Sequence, residues 1–352
     1  VNCGTSDDGW RVWRCGAAAR DRRGVVYDQV ESVGPVHGSG LVRDDVLWFC
    51  AGRSSFLDGG LRIYRLKPQT GKVLSTTSID SLGEDDEQPP ITSTIFSRLE
   101  MEGAKNDVLS CDDNNVFTRH WAFDLKGQSV EQKIDHLFSP TGFLDTSWFR
   151  RTYWIYGRTY VSGAQGWARA GNVRPTGRIM SIGQERLYGF GRDYYPPSPG
   201  NRHQMYLAGE NEILFAMEKN GSAEVVAPDE AKPSKSRTER RDEGAPKNNV
   251  LWSTPADLQI RGMVLASDGD GKRLFVAGAK GDWVISQDAF EGKRGCVLRV
   301  ISVDDGKVIA EHILPGLPIV DGMSAANGRL YISLADGHVA CLGAAPIETE
   351  QD

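Results

Sequence analysis

At 352 residues, with 40 glycines, 16 prolines and 39% hydrophobic residues, the chain is long enough to bury a sizeable core and too rich in turn formers for a helical one. A net charge of -6, with acids and bases interleaved, presents no basic face and argues against nucleic acid as a partner. No apolar run approaches the roughly 20 residues that a helix needs to cross a bilayer.

Taken in chain order, Asp7 to Arg14 (DDGWRVWR) reads as the end of a repeat whose beginning lies upstream. A first residue of Val1 rather than Met favours a piece of a longer chain. Gly40 to Cys50 reads as a hairpin turning at Asp44-Asp45, and Leu61 to Leu74 (LRIYRLKPQTGKVL) continues it into outer strands, making one complete four-stranded unit. Val108 to Asp124 repeats the scheme with Asp113, Asn114 and Asn115 as its turn, since Asp and Asn tolerate the left-handed backbone. Arg178 to Phe190 and Gln204 to Glu218 supply further strand pairs. Ile260 to Gly278 and the segment ending at Leu314 make another unit, and Gly322 to Leu342 makes the last.

Two stretches break the pattern. Leu137 to Arg174 is rich in Trp, Tyr, Arg and Gly and poor in alternation, a length without periodicity that tends to be functional. Lys232 to Glu243 (KPSKSRTERRDE) mixes both signs without an apolar residue and reads as a solvated, mobile loop.

Recurrence carries the fold assignment. The phrases LRIYRLKPQTGKVL, CVLRVISVDDGKVI (from Cys296) and NGRLYISLADGHVACL (from Asn327) each set apolar alternation on both sides of a tight turn. The expected fold is all-β, a β-propeller of four-stranded antiparallel blades spanning 1–345. Within it lie an insertion at 137–174 and a polar loop at 228–250, and a short tail follows at 346–352.

The phrases IYRLKPQTGKV (from Ile63), VISVDDGKV (from Val300) and LYISLADGHVACL (from Leu330) resemble the repeat of the pyrroloquinoline-quinone-like (PQQ-like) β-propellers. That superfamily includes bacterial quinoprotein dehydrogenases and the outer-membrane assembly lipoprotein BamB. More specifically, ESVGPVHGSGLV (from Glu31), AGRSSFLDGGLRIY (from Ala51), GFLDTSWFRRTYWIYGR (from Gly142), PTGRIMSI (from Pro175) and YGFGRDYY (from Tyr188) are similar to a set of PQQ-like proteins of planctomycete-type bacteria. The resemblance implies further blades upstream of Asp7 and a secreted, periplasmic or cell-envelope location. It transfers architecture and little chemistry.

A quinoprotein dehydrogenase holds PQQ over a tryptophan floor with calcium bound by Glu, Asn and Asp, commonly beside a bond between adjacent cysteines. The six cysteines here, at 3, 15, 50, 111, 296 and 341, include no adjacent pair and no CxxC. Lys72 is followed by Val73-Leu74-Ser75, without the tryptophan that the superfamily often places there. No cofactor is therefore expected, and quinone- or metal-dependent oxidoreduction stands as the alternative. Cys50, Cys111 and Cys341 sit in apolar strand patterns and are expected to be buried thiols. Ser267 to Lys272 (SDGDGK) lacks the further ligands of a calcium loop and reads as a hairpin turn. Ser54-Ser55 beside Asp58 has no strained nucleophile elbow.

Binding chemistry is denser. Asp145 to Arg158 (DTSWFRRTYWIYGR) packs three arginines and five aromatics together, offering planar forks for anions and flat faces for sugars or cations. Asp145, Trp148, Arg151 and Arg158 are its candidates. The bland alternative is arginine paired with aspartate between blades. His37 in GPVHGSG, Arg53, Asp58, Arg119 and His120 occupy strand ends or turns, from which propellers build ligand sites. The expectation is a non-catalytic binding module for a protein, peptide or glycan.

Overall fold

The computed structural model describes residues 13–17, 23–26, 28–32, 34–36, 40–55, 58–80, 108–118, 121–130, 134–138, 154–157, 175–192, 212–219, 249–267, 271–283 and 286–343. The chain divides into two compact units, Val1–Trp167 and Ala168–Asp352.

In the first unit, β1 (Arg23–Val26) and β2 (Gln29–Ser32) form an isolated hairpin. Next come β3 (Leu41–Arg43), β4 (Val46–Ala51), β5 (Leu61–Leu66) and β6 (Val73–Ile79), an antiparallel sheet whose spatial order follows the chain. A second such sheet comprises β7 (Leu109–Cys111), β8 (Asn115–Thr118), β9 (Trp121–Asp124) and β10 (Ser129–Val130). Asp44 and Asp45 turn the first hairpin at φ 49° and 58°, as expected. In the second sheet Asn115 is already strand; the turn closes on the Asp112 carboxylate, which accepts from the backbone N–H of Asn114 and Asn115. Strand β11 (His136–Phe138) then pairs with β12 (Trp154–Gly157). All four residues of β12 are buried, so the aromatic stretch read as irregular contains a strand.

In the second unit, the short β13 (Thr176–Gly177) leads into β14 (Ile179–Ile182), β15 (Arg186–Arg192), β16 (Glu212–Glu218) and β17 (Val250–Pro255). The latter four make a sheet, and β18 (Leu258–Ser267), β19 (Lys272–Lys280), β20 (Cys296–Ser302) and β21 (Val308–Leu314) make another. Strands β22 (Pro318–Ala326), β23 (Arg329–Leu334) and β24 (Val339–Gly343) form a three-stranded sheet. The only helix among the described residues, α1 (Gln287–Phe290), lies between β19 and β20 and is capped by the Ser286 hydroxyl.

Successive sheets pack face to face. Trp48, Cys50, Leu61, Ile63 and Ile79 of the first sheet share a core with Leu109, Val116 and Phe123 of the second. In the second unit, Ile179, Tyr188, Phe190, Leu214 and Ala216 meet Leu258, Ile260, Met263, Leu274, Val276, Val297 and Ile301. The opposite face of that sheet, through Ala277, Ala279, Cys296, Leu298 and Leu314, meets Leu330, Ile332 and Leu334. Period-two alternation makes this stacking possible, since each strand offers apolar side chains to both neighbours.

One turn recurs between third and fourth strands. Lys67 donates to Lys72 O, Asp124 to Gln128 O and Ser302 to Lys307 O, each backbone bond at 2.9 Å. Gly71, Gly127 and Gly306 in these turns have φ of 67°, 87° and 72°, which glycine adopts without cost. A bulge lies early in the fourth strand of three sheets, leaving Leu74, Leu251 and Ile309 unpaired and re-aiming the next residue, Ser75, Trp252 or Ala310. Trp252 thereby lies against Gly306 of the following sheet, and its indole Nε1 donates to Val303 O at 3.0 Å. Trp13 covers Gly71 in the same way, donating to Pro68 O at 2.7 Å.

Where Ser75 replaces the tryptophan, the dock is rebuilt from polar parts. Arg65 lies over the Trp48 ring and donates to Ser75 Oγ at 3.2 Å and to Lys126 O at 2.8 Å. Thr77 donates to Gly127 O at 2.5 Å. The missing tryptophan of the sequence reading is thus a change of lock rather than a loss of one.

The thiols differ from expectation. Cys50 is buried, but Cys111 and Cys341 are exposed, because the first ends its strand at a turn and the second lies on an outer strand. Cys15 carries a free thiol.

Candidate functional site

In an up-and-down four-stranded sheet, one end gathers the start of the first strand and the connection between second and third strands; the tight turns lie at the other. Six polar side chains are buried among the described residues, and all six belong to the first kind of end. Ser54 and Ser55 lie in the connection between β4 and β5, Thr118 ends β8, and His136 begins β11. Thr176 precedes β14, and Glu212 begins β16. Polar groups are costly to bury, so their gathering at one end of the sheets that contain them marks where the fold departs from packing apolar faces.

Of the expected site residues, Arg53 and Asp58 are described. They face each other: the Arg53 Nε donates to Asp58 Oδ2 at 3.1 Å and Nη2 binds the same oxygen. Their loop is shaped by Gly52, Asp58, Gly59 and Gly60, all at positive φ, and Gly52 N–H donates to Pro35 O at 2.9 Å. Val36 bridges Ala51 beside it. The Arg53 side chain is 44% exposed and that of Asp58 is 18% exposed, so the guanidinium is held at the surface by a carboxylate beneath it. His37, Arg119, His120, Asp145, Trp148, Arg151 and Arg158 lie outside the described residues.

In the first unit His136 stacks on Phe117, with centroids 4.1 Å apart and 7° between planes, and its Nδ1 is 2.6 Å from Ile134 O. Nearby Tyr156 is pushed up to about 12 by burial, with Asp135 and Asp112 adding to the effect.

The second unit contains a pair that sequence reasoning missed. Arg178 donates to Glu212 through Nε and Nη2, each 2.7 Å from Oε1. The Glu212 side chain is 1% exposed and that of Arg178 is 28% exposed. Glu212 Oε2 is buried with no hydrogen-bond partner. A signal was available: in EILFAME, Glu212 shares the parity of Leu214 and Ala216, which face the core. A charge in the apolar phase of a strand is more informative than one at a loop.

Among the described residues no three His, Cys, Asp or Glu side chains converge on a cation position.

Four of the sheets among the described residues are four-stranded meanders, and within each unit sheets stack face to face; they define an all-β chain of the β-propeller class. A scan against protein-family models finds no match, and a search of curated proteins finds none. Among solved structures, the chain is similar to BamB from Moraxella catarrhalis at 12% identity, covering 87% of this chain and 69% of that one with a TM-score of 0.37. Dihydro-heme d1 dehydrogenase NirN matches at 11% identity over 88% of this chain and 57% of its own, TM-score 0.38. Kuenenia stuttgartiensis hydrazine synthase matches at 14% identity over 85% and 73%, TM-score 0.37. The blades themselves, not these overlaps, carry the fold assignment.

Proposed function

We propose that the chain is a non-catalytic binding module of the PQQ-like propeller type, located in the cell envelope, which recognises a protein, peptide or glycan. The observation that supports this reading is the confinement of all buried polar side chains among the described residues to one end of the sheets. Rigid blades hold connections there that present Arg53 over Asp58 and Arg178 over Glu212. Preformed polar groups on a stiff scaffold favour recognition, because little side-chain freedom is left to lose on binding. The aromatic-arginine stretch that carries Asp145, Trp148, Arg151 and Arg158 supplies further contacts in this reading. No helix among the described residues is long and apolar enough to cross a membrane.

The test is a panel of immobilised peptides and glycans probed with the wild-type chain and with a Trp148→Ala/Arg151→Ala variant. Retention by a subset of probes, weakened in the variant, is the expected result. Binding unchanged by the double substitution, or no binding to any probe, overturns the proposal.

A further inference from the structure

We propose that Glu212 is a ligand-binding carboxylate that accepts a hydrogen bond from a hydroxyl group of a glycan; this rests on the binding-module reading and specifies its partner. Three observations lead to it. First, both Arg178 donors converge on Oε1, while Oε2, equally buried, has no donor. Leaving a buried carboxylate oxygen unmet costs free energy, and a group kept in that state calls for a partner.

Second, Arg178 already binds Oε1 and Arg192 stands directly opposite Glu212 across the strand pair. A cationic ligand would meet two guanidinium groups and an anionic one offers Oε2 no donor, whereas a hydroxyl supplies the missing donor and adds no charge. Third, aromatic surface lies alongside. Phe190 is directly opposite Leu214, two residues from Glu212, and its carbonyl accepts from Arg178 N–H at 2.7 Å. Trp283, partly buried on the connection between β19 and β20, meets the Phe190 ring edge-on at 6.2 Å. A carboxylate and an indole at one sheet end suit the hydroxyl edge and the apolar face of a sugar ring respectively. The partly exposed Arg178 is the lid: a ligand reaches Oε2 by shifting the guanidinium, which keeps Oε1 as its anchor.

Affinity electrophoresis through gels containing dextran, mannan or laminarin tests this on the whole chain, with Glu212→Gln as the variant and Lys307→Ala, an exposed substitution, as the control. The wild type and the control are expected to be retarded by at least one polysaccharide. Glu212→Gln should bind roughly 10- to 100-fold more weakly, the range for losing a hydrogen bond to a charged group. Equal retardation of Glu212→Gln, or no retardation of the wild type, overturns the proposal. If peptides bind in the panel described above while no polysaccharide does, the binding-module reading stands and this inference alone falls. Should Glu212→Gln fail to fold, wild-type crystals soaked with the retarding oligosaccharide decide. A sugar hydroxyl within hydrogen-bonding distance of Oε2 supports the proposal, and an internal water there with no sugar overturns it.

Discussion

Trp252 ties its sheet to the following one through both packing and a hydrogen bond. Its ring fills the space above Gly306, where a Cβ on the glycine would come within 2.6 Å of the indole, and its N–H closes on Val303 O. Trp252→Ala removes both the ring and the bond and is expected to cost about 3 kcal/mol. Gly306→Ala keeps the tryptophan but forces an alanine to φ 72° and pushes the ring away, with an expected cost of about 1–3 kcal/mol. Ser75→Ala, at the equivalent place in the first unit, loses only one bond from Arg65 and should cost less than about 1 kcal/mol. Urea unfolding of the three variants checks the order; a Trp252→Ala loss no larger than that of Ser75→Ala would contradict the lock described here.

Among the elements, the sheet from β18 to β21 is tied across its face by a chain of charges. Arg299 on β20 binds Asp257 through both carboxylate oxygens, at 2.5 and 2.9 Å, and Glu311 on β21 at 2.8 Å. Lys280 on β19 reaches the other Glu311 oxygen at 2.6 Å. The hydrogen bonds from Arg299 hold the Asp257 carboxyl below its ordinary range, and those from Lys280 and then Arg299 do the same for Glu311. A depressed carboxylate contributes stability that is present above its unfolded value, near about 4, and is lost as pH falls through its folded value. Thermal unfolding between pH 7 and pH 3 should therefore show a steeper loss of Tm in the wild type than in Arg299→Met. The difference should be modest, since the carboxylates are largely solvated. Parallel curves would show that the network contributes nothing to the acid limb.

The hairpins were the most legible elements. β5–β6, β20–β21 and β23–β24 fall where the repeated phrases place them, because tight Gly turns and period-two alternation are local signals. Cys111 and Cys341 were misread because alternation tells which residues share a face, and not whether a neighbouring sheet covers it. The Arg178–Glu212 pair joins residues 34 positions apart, a distance at which pattern gives no contact. Arg65 standing in for a tryptophan was illegible for the same reason: its partners, Trp48 and Lys126, come from a different strand and a different sheet.

For the whole molecule, the consistent feature is a division of labour between the two ends of each sheet. In three of the four-stranded sheets the turn between third and fourth strands is short, glycine-shaped and locked to a neighbour by Trp13, Trp252 or Arg65; in the sheet from β14 to β17 that connection runs from 219 to 249. The opposite ends carry the buried polar residues, and one of them holds α1. Locked turns at one end and buried polar groups at the other are the arrangement expected of a scaffold that presents a recognition surface.

The most direct test is hydrogen–deuterium exchange of the wild-type chain with and without its tightest-binding probe from the peptide and glycan panel. Protection confined to the connections around Arg53–Asp58, Arg178 and Glu212, with the turns at Gly71, Gly127 and Gly306 unchanged, is the predicted result. Protection at those glycine turns instead would place recognition at the wrong end of the sheets and contradict the account.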